Sequence, residues 1–206
     1  MRTILFQGDS ITDADRIRQD AFNLGRGYPL LVSAKLGFEH PGEYVMYNRG
    51  ISGNRIVDLY ARIKMDIINL KPDIMSILIG VNDVWHEFGN QNGVDSEKFF
   101  KIYCMLIEEI REALPDIKIM ILEPFVLKEK STEASYDLFR EEVEKRAEKS
   151  RLVAEKYGLT FISLQDKFDE AARLAPNSHW LADGVHPTYS GHELIKREWL
   201  KAFYAL

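Results

Sequence analysis

Four short polar turns carry the side chains that can do chemistry: Gly8-Asp9-Ser10, Gly50 to Asn54, Gly80 to Asp83, and Asp183 to His186. A serine hydroxyl is a poor nucleophile near neutral pH, so a base must take its proton as it attacks a carbonyl. His186, with an ordinary pKa near 6.5, suits that exchange, and Asp183 three residues earlier can hold the imidazole and stabilise the imidazolium. The negative oxygen of a tetrahedral intermediate needs donors. The backbone N–H groups of Ser10 and Gly53 and the side-chain amide of Asn82 are the candidates, and losing one such donor costs about 10² to 10³ in turnover. Each short motif alone is weak, since Gly-Asp-Ser arises by chance in roughly one chain in twenty of this length. Their combination supplies the parts of an acyl-transfer site.

These turns gain meaning from the elements around them. Apolar runs predict strands over Thr3 to Gln7, Tyr44 to Asn48, Ile74 to Ile79, Ile117 to Leu122 and Leu159 to Ser163. Amphipathic spacing predicts helices from Tyr28 to near Gly37, Ile56 to Leu70, Glu97 to Ala113 and Ser135 to Tyr157, with a last one starting near Ser190. Strict alternation of strand and helix predicts an α/β fold, a three-layer α/β/α sandwich with a parallel sheet. In such sheets ligands bind beyond the carboxyl ends of the strands, where three of the four polar turns fall. The stretches His86 to Ser96 and Pro124 to Ala134 read as loops bordering that site.

Composition removes several function classes. The 206 residues fit one domain spanning 1–206, and 46% hydrophobic with 29% charged residues is the balance of a globular protein. A formal net charge of -5 is the wrong sign for a partner such as nucleic acid or an anionic membrane. The one cysteine, Cys104, lies in the apolar stretch Ile102 to Ile107 and reads as a packed thiol, so no disulfide or thiolate metal cluster is expected. No signal-peptide core or membrane-spanning run is visible, which predicts a cytoplasmic protein. A metal site built from Asp183, His186, His179 and His192 has no independent support, and none is expected.

The four blocks, in this order, resemble those of the SGNH hydrolases within the GDSL esterase and lipase family. The resemblance covers nearly the whole chain and implies Ser10 as nucleophile, Gly53 and Asn82 as oxyanion donors, and His186 with Asp183 as base and orienting carboxylate. It also implies a cofactor-free enzyme on a flavodoxin-like sheet of five parallel strands. The run Gly50 to Asn54, then Asp58, Leu59, Ala61 and Arg62, then Lys71-Pro72-Asp73 and Gly80 to Trp85, is similar to bacterial acetyl-xylan esterases. That likeness implies a small-molecule ester substrate, an acetylated sugar such as a xylo-oligosaccharide. The nucleophile block reads Gly-Asp-Ser-Ile where the family name has Leu, a swap that conserves volume. Two alternatives stand beside this reading: an acyl-thioesterase or lysophospholipase on the same triad, and a non-catalytic flavodoxin-like binding module. The second lacks a P-loop or a G-x-G-x-x-G turn.

Among the remaining polar and aromatic residues, Asp9 and Asp13 read as turn-capping carboxylates. Trp85 and His86 read as a substrate-binding wall, with Tyr28, Phe125 and Trp180 as further pocket candidates. Exposed aromatic loops are compatible with a homo-oligomer.

Overall fold

The computed structural model describes residues 1–206. Five strands, β1 (Arg2–Gly8), β2 (Tyr44–Asn48), β3 (Ile74–Leu78), β4 (Lys118–Leu122) and β5 (Thr160–Ile162), form one parallel sheet in the order β2-β1-β3-β4-β5. Ten α-helices lie between and after them: α1 (Ser10–Asp13), α2 (Tyr28–Glu39), α3 (Ile56–Ala61), α4 (Ile63–Asp66), α5 (Val81–Asn90), α6 (Ser96–Ala113), α7 (Tyr136–Tyr157), α8 (Gln165–Ala171), α9 (Asn177–Trp180) and α10 (Tyr189–Phe203).

Side chains alternate across a strand, so the sheet makes two cores. Ile4, Phe6, Leu78, Met120 and Leu122 point to one face, under α2, α8 and α10. Leu5, Met75, Ile77, Ile119 and Ile121 point to the other, under α3, α4 and α6, and α7 contributes to both. All five residues of β3 are buried, as its near-continuous apolar run requires. In α6 the Asp95 carboxylate caps the Lys98 N–H at 2.9 Å, and Phe99, Tyr103, Leu106, Ile107 and Ile110 repeat at helical spacing onto the sheet. Cys104 is buried there, as expected. No helix is long and apolar enough to cross a membrane.

The strand order reverses direction between β1 and β3, because the chain leaves β1 toward β2 and returns past it to β3. A crevice opens beyond the carboxyl ends of those two strands, and the turns bearing Ser10 and Asn82 border it.

Two expected elements differ. The single helix over Ile56 to Leu70 is broken into α3, α4 and a 3₁₀ turn at Ile68–Leu70. Arg62 caps both α3 and α4 at φ −111° and ψ 15°, with its side chain turned inward onto backbone carbonyls. The loop expected from His86 is helical to Asn90, where Gln91 in the left-handed conformation returns its N–H to the carbonyls of Glu87 and His86.

Candidate active site

The Gly8 to Ser10 turn is built by its own side chains. Asp9 precedes α1, and its Oδ1 accepts the Ile11 N–H at 2.9 Å, placing Ser10 at the first helical position, where an N–H has no partner within the helix. Burial pushes the Asp9 carboxyl up to about 7, the Ile11 N–H offsetting part of that rise. Ser10 Oγ lies 2.9 Å from His186 Nε2, and His186 Nδ1 lies 2.7 Å from Asp183 Oδ2. The other Asp183 oxygen accepts the Val185 and His186 N–H groups at 3.0 and 2.8 Å, so the carboxylate is aimed by its own turn.

These contacts set the charges. The hydrogen bond that His186 donates to Asp183 raises the His186 pKa above 6.5 despite burial, which works in the opposite direction. Burial alone would raise Asp183, but its bonds to the His186 ring and to two backbone N–H groups outweigh that and lower it to about 2. With Asp183 ionised, Nδ1 donates to it and Nε2 is left to accept from the serine.

The segment Pro124 to Ala134, expected to border the cleft, braces this turn from behind. Leu127 N–H donates to the Gly184 carbonyl at 2.9 Å and Ser131 N–H to that of Asp183 at 3.1 Å. Phe125, Val126 and Leu127 are buried, and Phe125 stacks on Phe168 with centroids 4.2 Å apart, so Phe125 is not a pocket residue.

Two glycines explain the second turn. A Cβ on Gly50 would meet the Asp13 backbone nitrogen at 2.3 Å, so only glycine lets this turn lie against α1. Gly53 has room, the nearest atom to such a Cβ being His86 Nε2 at 4.0 Å, but its φ of +83° is the left-handed region. That conformation leaves the Gly53 N–H without a protein acceptor. Asp13 fastens this turn by accepting the Ser52 N–H at 3.0 Å and Oγ–H at 3.2 Å. Asn82 Nδ2 donates one hydrogen to the Asn54 carbonyl at 3.2 Å and keeps the other free. Asp83, wholly buried, accepts the Ile56 N–H at 3.1 and 3.3 Å and ties α5 to α3, its own pKa raised well above the carboxylate range by burial. The capping roles expected of Asp9 and Asp13 therefore match the geometry.

Ser10, Gly53, Asn82 and His186 line one open cleft of about 830 Å³, together with Trp85 and His86. Trp85 has its ring 6.1 Å from that of His186 and packs edge-on against Phe139 at 5.8 Å, anchoring the wall to the core. Tyr28 is a correction: it is fully buried, bonded through its hydroxyl to Thr12 at 3.0 Å and packed edge-on to Phe6, because α2 turns its first residue into the core. Trp180 is another. It leans on the core beside Leu194 and borders a separate depression of about 810 Å³, on the far side of Tyr189.

Asp15, Arg26 and Tyr189 also line the cleft and were not singled out in the sequence, and His192, considered there only in a metal set, lines it too. Asp15 and Arg26 form an ion pair at the rim, and Ala14 and Asp15 both have positive φ, at 42° and 58°. Two left-handed non-glycine residues beside the Ser10 turn are a tertiary feature with no local signature. His192 accepts the Tyr28 N–H at 3.2 Å, and burial, followed by the nearby His186, lowers its pKa to about 4, so it stays neutral. Its position three residues after Tyr189 on α10 was the available signal.

A chain with this fold and cleft has well-matched relatives. An acetylxylan esterase from Geobacillus stearothermophilus is 31% identical over 205 residues, 96% of this chain and 92% of that protein. The crystal structure of that organism's acetylxylan esterase Axe2 superposes with a TM-score of 0.86 over 98% of this chain and 93% of its own, at 31% identity. Axe2 has also been crystallised as catalytic mutants of a serine, an aspartate and a histidine, the last two three positions apart, the spacing of Asp183 and His186. A protein described as a GDSL-like lipase from Parabacteroides merdae superposes with a TM-score of 0.91 at 34% identity, over 98% of this chain and 94% of that one. The sequence profile of the GDSL-like lipase/acylhydrolase family matches residues 6–194, and the chain belongs to that family.

Proposed function

We propose that this serine ester hydrolase removes acetyl groups from acetylated carbohydrates such as xylo-oligosaccharides, with Ser10, His186 and Asp183 as its triad. The observation that carries the reading is the continuous hydrogen-bonded line from Ser10 Oγ through His186 to Asp183, opening into the cleft at Gly53 and Asn82.

In this mechanism His186 Nε2 takes the Ser10 proton as Oγ attacks the acetyl carbonyl. Asp183 stabilises the imidazolium without itself taking the proton. The N–H groups of Ser10 and Gly53 and the free hydrogen of Asn82 Nδ2 stabilise the developing oxyanion. His186 then protonates the departing sugar oxygen, and water, activated by the same imidazole, releases acetate from Ser10.

The acyl group and leaving group follow from the walls. Only three of the 16 residues lining the cleft are hydrophobic, and the polar ones include Asp15, Arg26, His86 and Asn90. Hydroxyl-rich leaving groups find partners there, and the Trp85 ring offers a face for a sugar. The named relative that acts on acetylxylan supports the same choice. A long acyl chain, as in the thioesterase or lysophospholipase alternatives, calls for a run of apolar side chains, and Ala14, Trp85 and Tyr189 are the three hydrophobic residues among those lining the cleft. Acetate release from acetylated xylo-oligosaccharides is the direct test, run beside octanoyl esters and acetyl-CoA. Acetyl esters should exceed octanoyl esters in kcat/KM by about 10²-fold or more. Preference for octanoyl esters or the thioester would refute the acetyl-sugar reading.

The pH dependence follows from the charges. The base must be neutral, and its pKa lies above 6.5, so kcat/KM should rise with pH through a midpoint above 6.5. Asp183 titrates near 2 and adds no second limb between pH 5 and 9. A profile of p-nitrophenyl acetate hydrolysis that is flat, or has its midpoint below 6.5, contradicts a histidine base held by Asp183.

A further inference from the structure

The geometry points to Arg62 as the positioning residue of the oxyanion site, an inference that rests on the esterase reading. Arg62 does not line the cleft. Its guanidinium lies behind it, with the side chain 11% exposed, and makes four directed contacts. Nε donates to Asn54 Oδ1 at 2.8 Å, and Nη1 donates to the Arg49 carbonyl at 2.8 Å and to Asp66 Oδ2 at 2.9 Å. Nη2 reaches the Gly8 carbonyl at 3.3 Å.

Three of the four acceptors belong to turns that present a proposed oxyanion donor, and the fourth, Asp66, balances the charge from α4. Gly8 lies two residues before Ser10, and Arg49 and Asn54 bracket the turn that holds Gly53. Asn54 in turn holds Asn82 through its backbone carbonyl. One planar cation therefore holds two of the three turns directly and the third through Asn54, reaching as far as Gly8, 54 positions away in the chain. The Gly8 carbonyl also accepts the Ile51 N–H at 3.0 Å, so the first two turns are stitched together directly and Arg62 adds the clamp from behind.

The chemistry requires arginine. Three of the four acceptors are uncharged amide oxygens drawn from two separate turns, and a rigid fork with five N–H groups satisfies them at fixed relative angles. A lysine ammonium is a point donor on a flexible stem and cannot hold the Gly8 and Asn54 oxygens in one plane. Displacement of donors by a fraction of an ångström weakens transition-state binding more than substrate binding, so the effect belongs in kcat rather than KM.

The test uses Arg62→Lys, which keeps a cation beside Asp66, and the double variant Arg62→Gln/Asp66→Asn, which leaves no charge buried alone. Both are compared with the wild type for p-nitrophenyl acetate turnover, for melting temperature, and for affinity toward methylboronic acid, whose Ser10 adduct is tetrahedral. Expected in each variant is a fall in kcat of about 10²-fold, KM within threefold, and boronate affinity weakened by a similar factor to kcat. Arg62→Lys retaining kcat within threefold, unchanged boronate affinity in a variant with low kcat, or a loss carried by KM alone overturns the inference. A wild-type chain that cleaves no acetyl ester sinks the esterase reading itself, a result separate from any difference between variants.

Discussion

Ser10→Ala is expected to lower turnover of acetyl esters by roughly 10⁶-fold, the scale of losing the nucleophile from a serine triad. The change removes one oxygen atom from a helix whose cap, the Asp9 to Ile11 hydrogen bond, is untouched, so melting temperature should hardly move. The other two aliphatic hydroxyls that line the cleft are engaged elsewhere. Ser52 Oγ is committed to Asp13 at 3.2 Å, and Thr188 Oγ1 donates to the His179 carbonyl at 2.6 Å. Turnover and labelling by a fluorophosphonate probe check the prediction together. Both should vanish in the variant, and residual activity above about a thousandth of wild type would assign the attack to another group.

The second large effect concerns Asp183→Asn, for which kcat should fall about 10⁴-fold. Asparagine is nearly the same shape and can keep accepting the Val185 and His186 N–H groups through its carbonyl oxygen, so the turn survives. Its amide then faces Nδ1 with a hydrogen. The imidazole answers by placing its own proton on Nε2, which can no longer accept from Ser10 Oγ, now 2.9 Å away. The His186 pKa also loses its main upward influence, so whatever activity remains should show its acid limb displaced to lower pH. Rate measurements from pH 5 to 9 with a melting curve separate this from unfolding. A variant within tenfold of wild type would remove Asp183 from the mechanism.

Much of the architecture was legible because strands and helices write local periods into the chain. The five strands fall where the apolar runs place them, to within two residues at each end, and α6 and α7 follow their heptad-like spacing. The α3 to α4 break was not legible, because the apolar period continues through Arg62 while the reason to stop lies in carbonyls at Gly8 and Arg49. The short helices α8 and α9 carry too few turns for a period to register. Aromatic side chains were the least readable. Trp85 and Tyr28 both follow a glycine-containing turn at a helix start, yet one lines the cleft and the other fills the core. The difference lies in which face of its helix each occupies relative to the sheet.

By itself the sequence determined the reaction class and the identity of the chemistry. Serine, glycine, asparagine and the aspartate–histidine pair sit in turns that a parallel sheet must gather at one edge, and the alternation of elements announces that sheet. The distances between those turns were decided by the tertiary structure alone. Ser10 meets His186 across 176 positions, and Asn82 meets Asn54 across 28, through contacts that no local pattern encodes. So, too, were the polar lining of the cleft, the burial of Tyr28 and the placement of Arg62 behind the oxyanion turns. Local sequence sets backbone periods over a few residues, whereas the direction of a side chain at a site depends on packing between segments far apart in the chain.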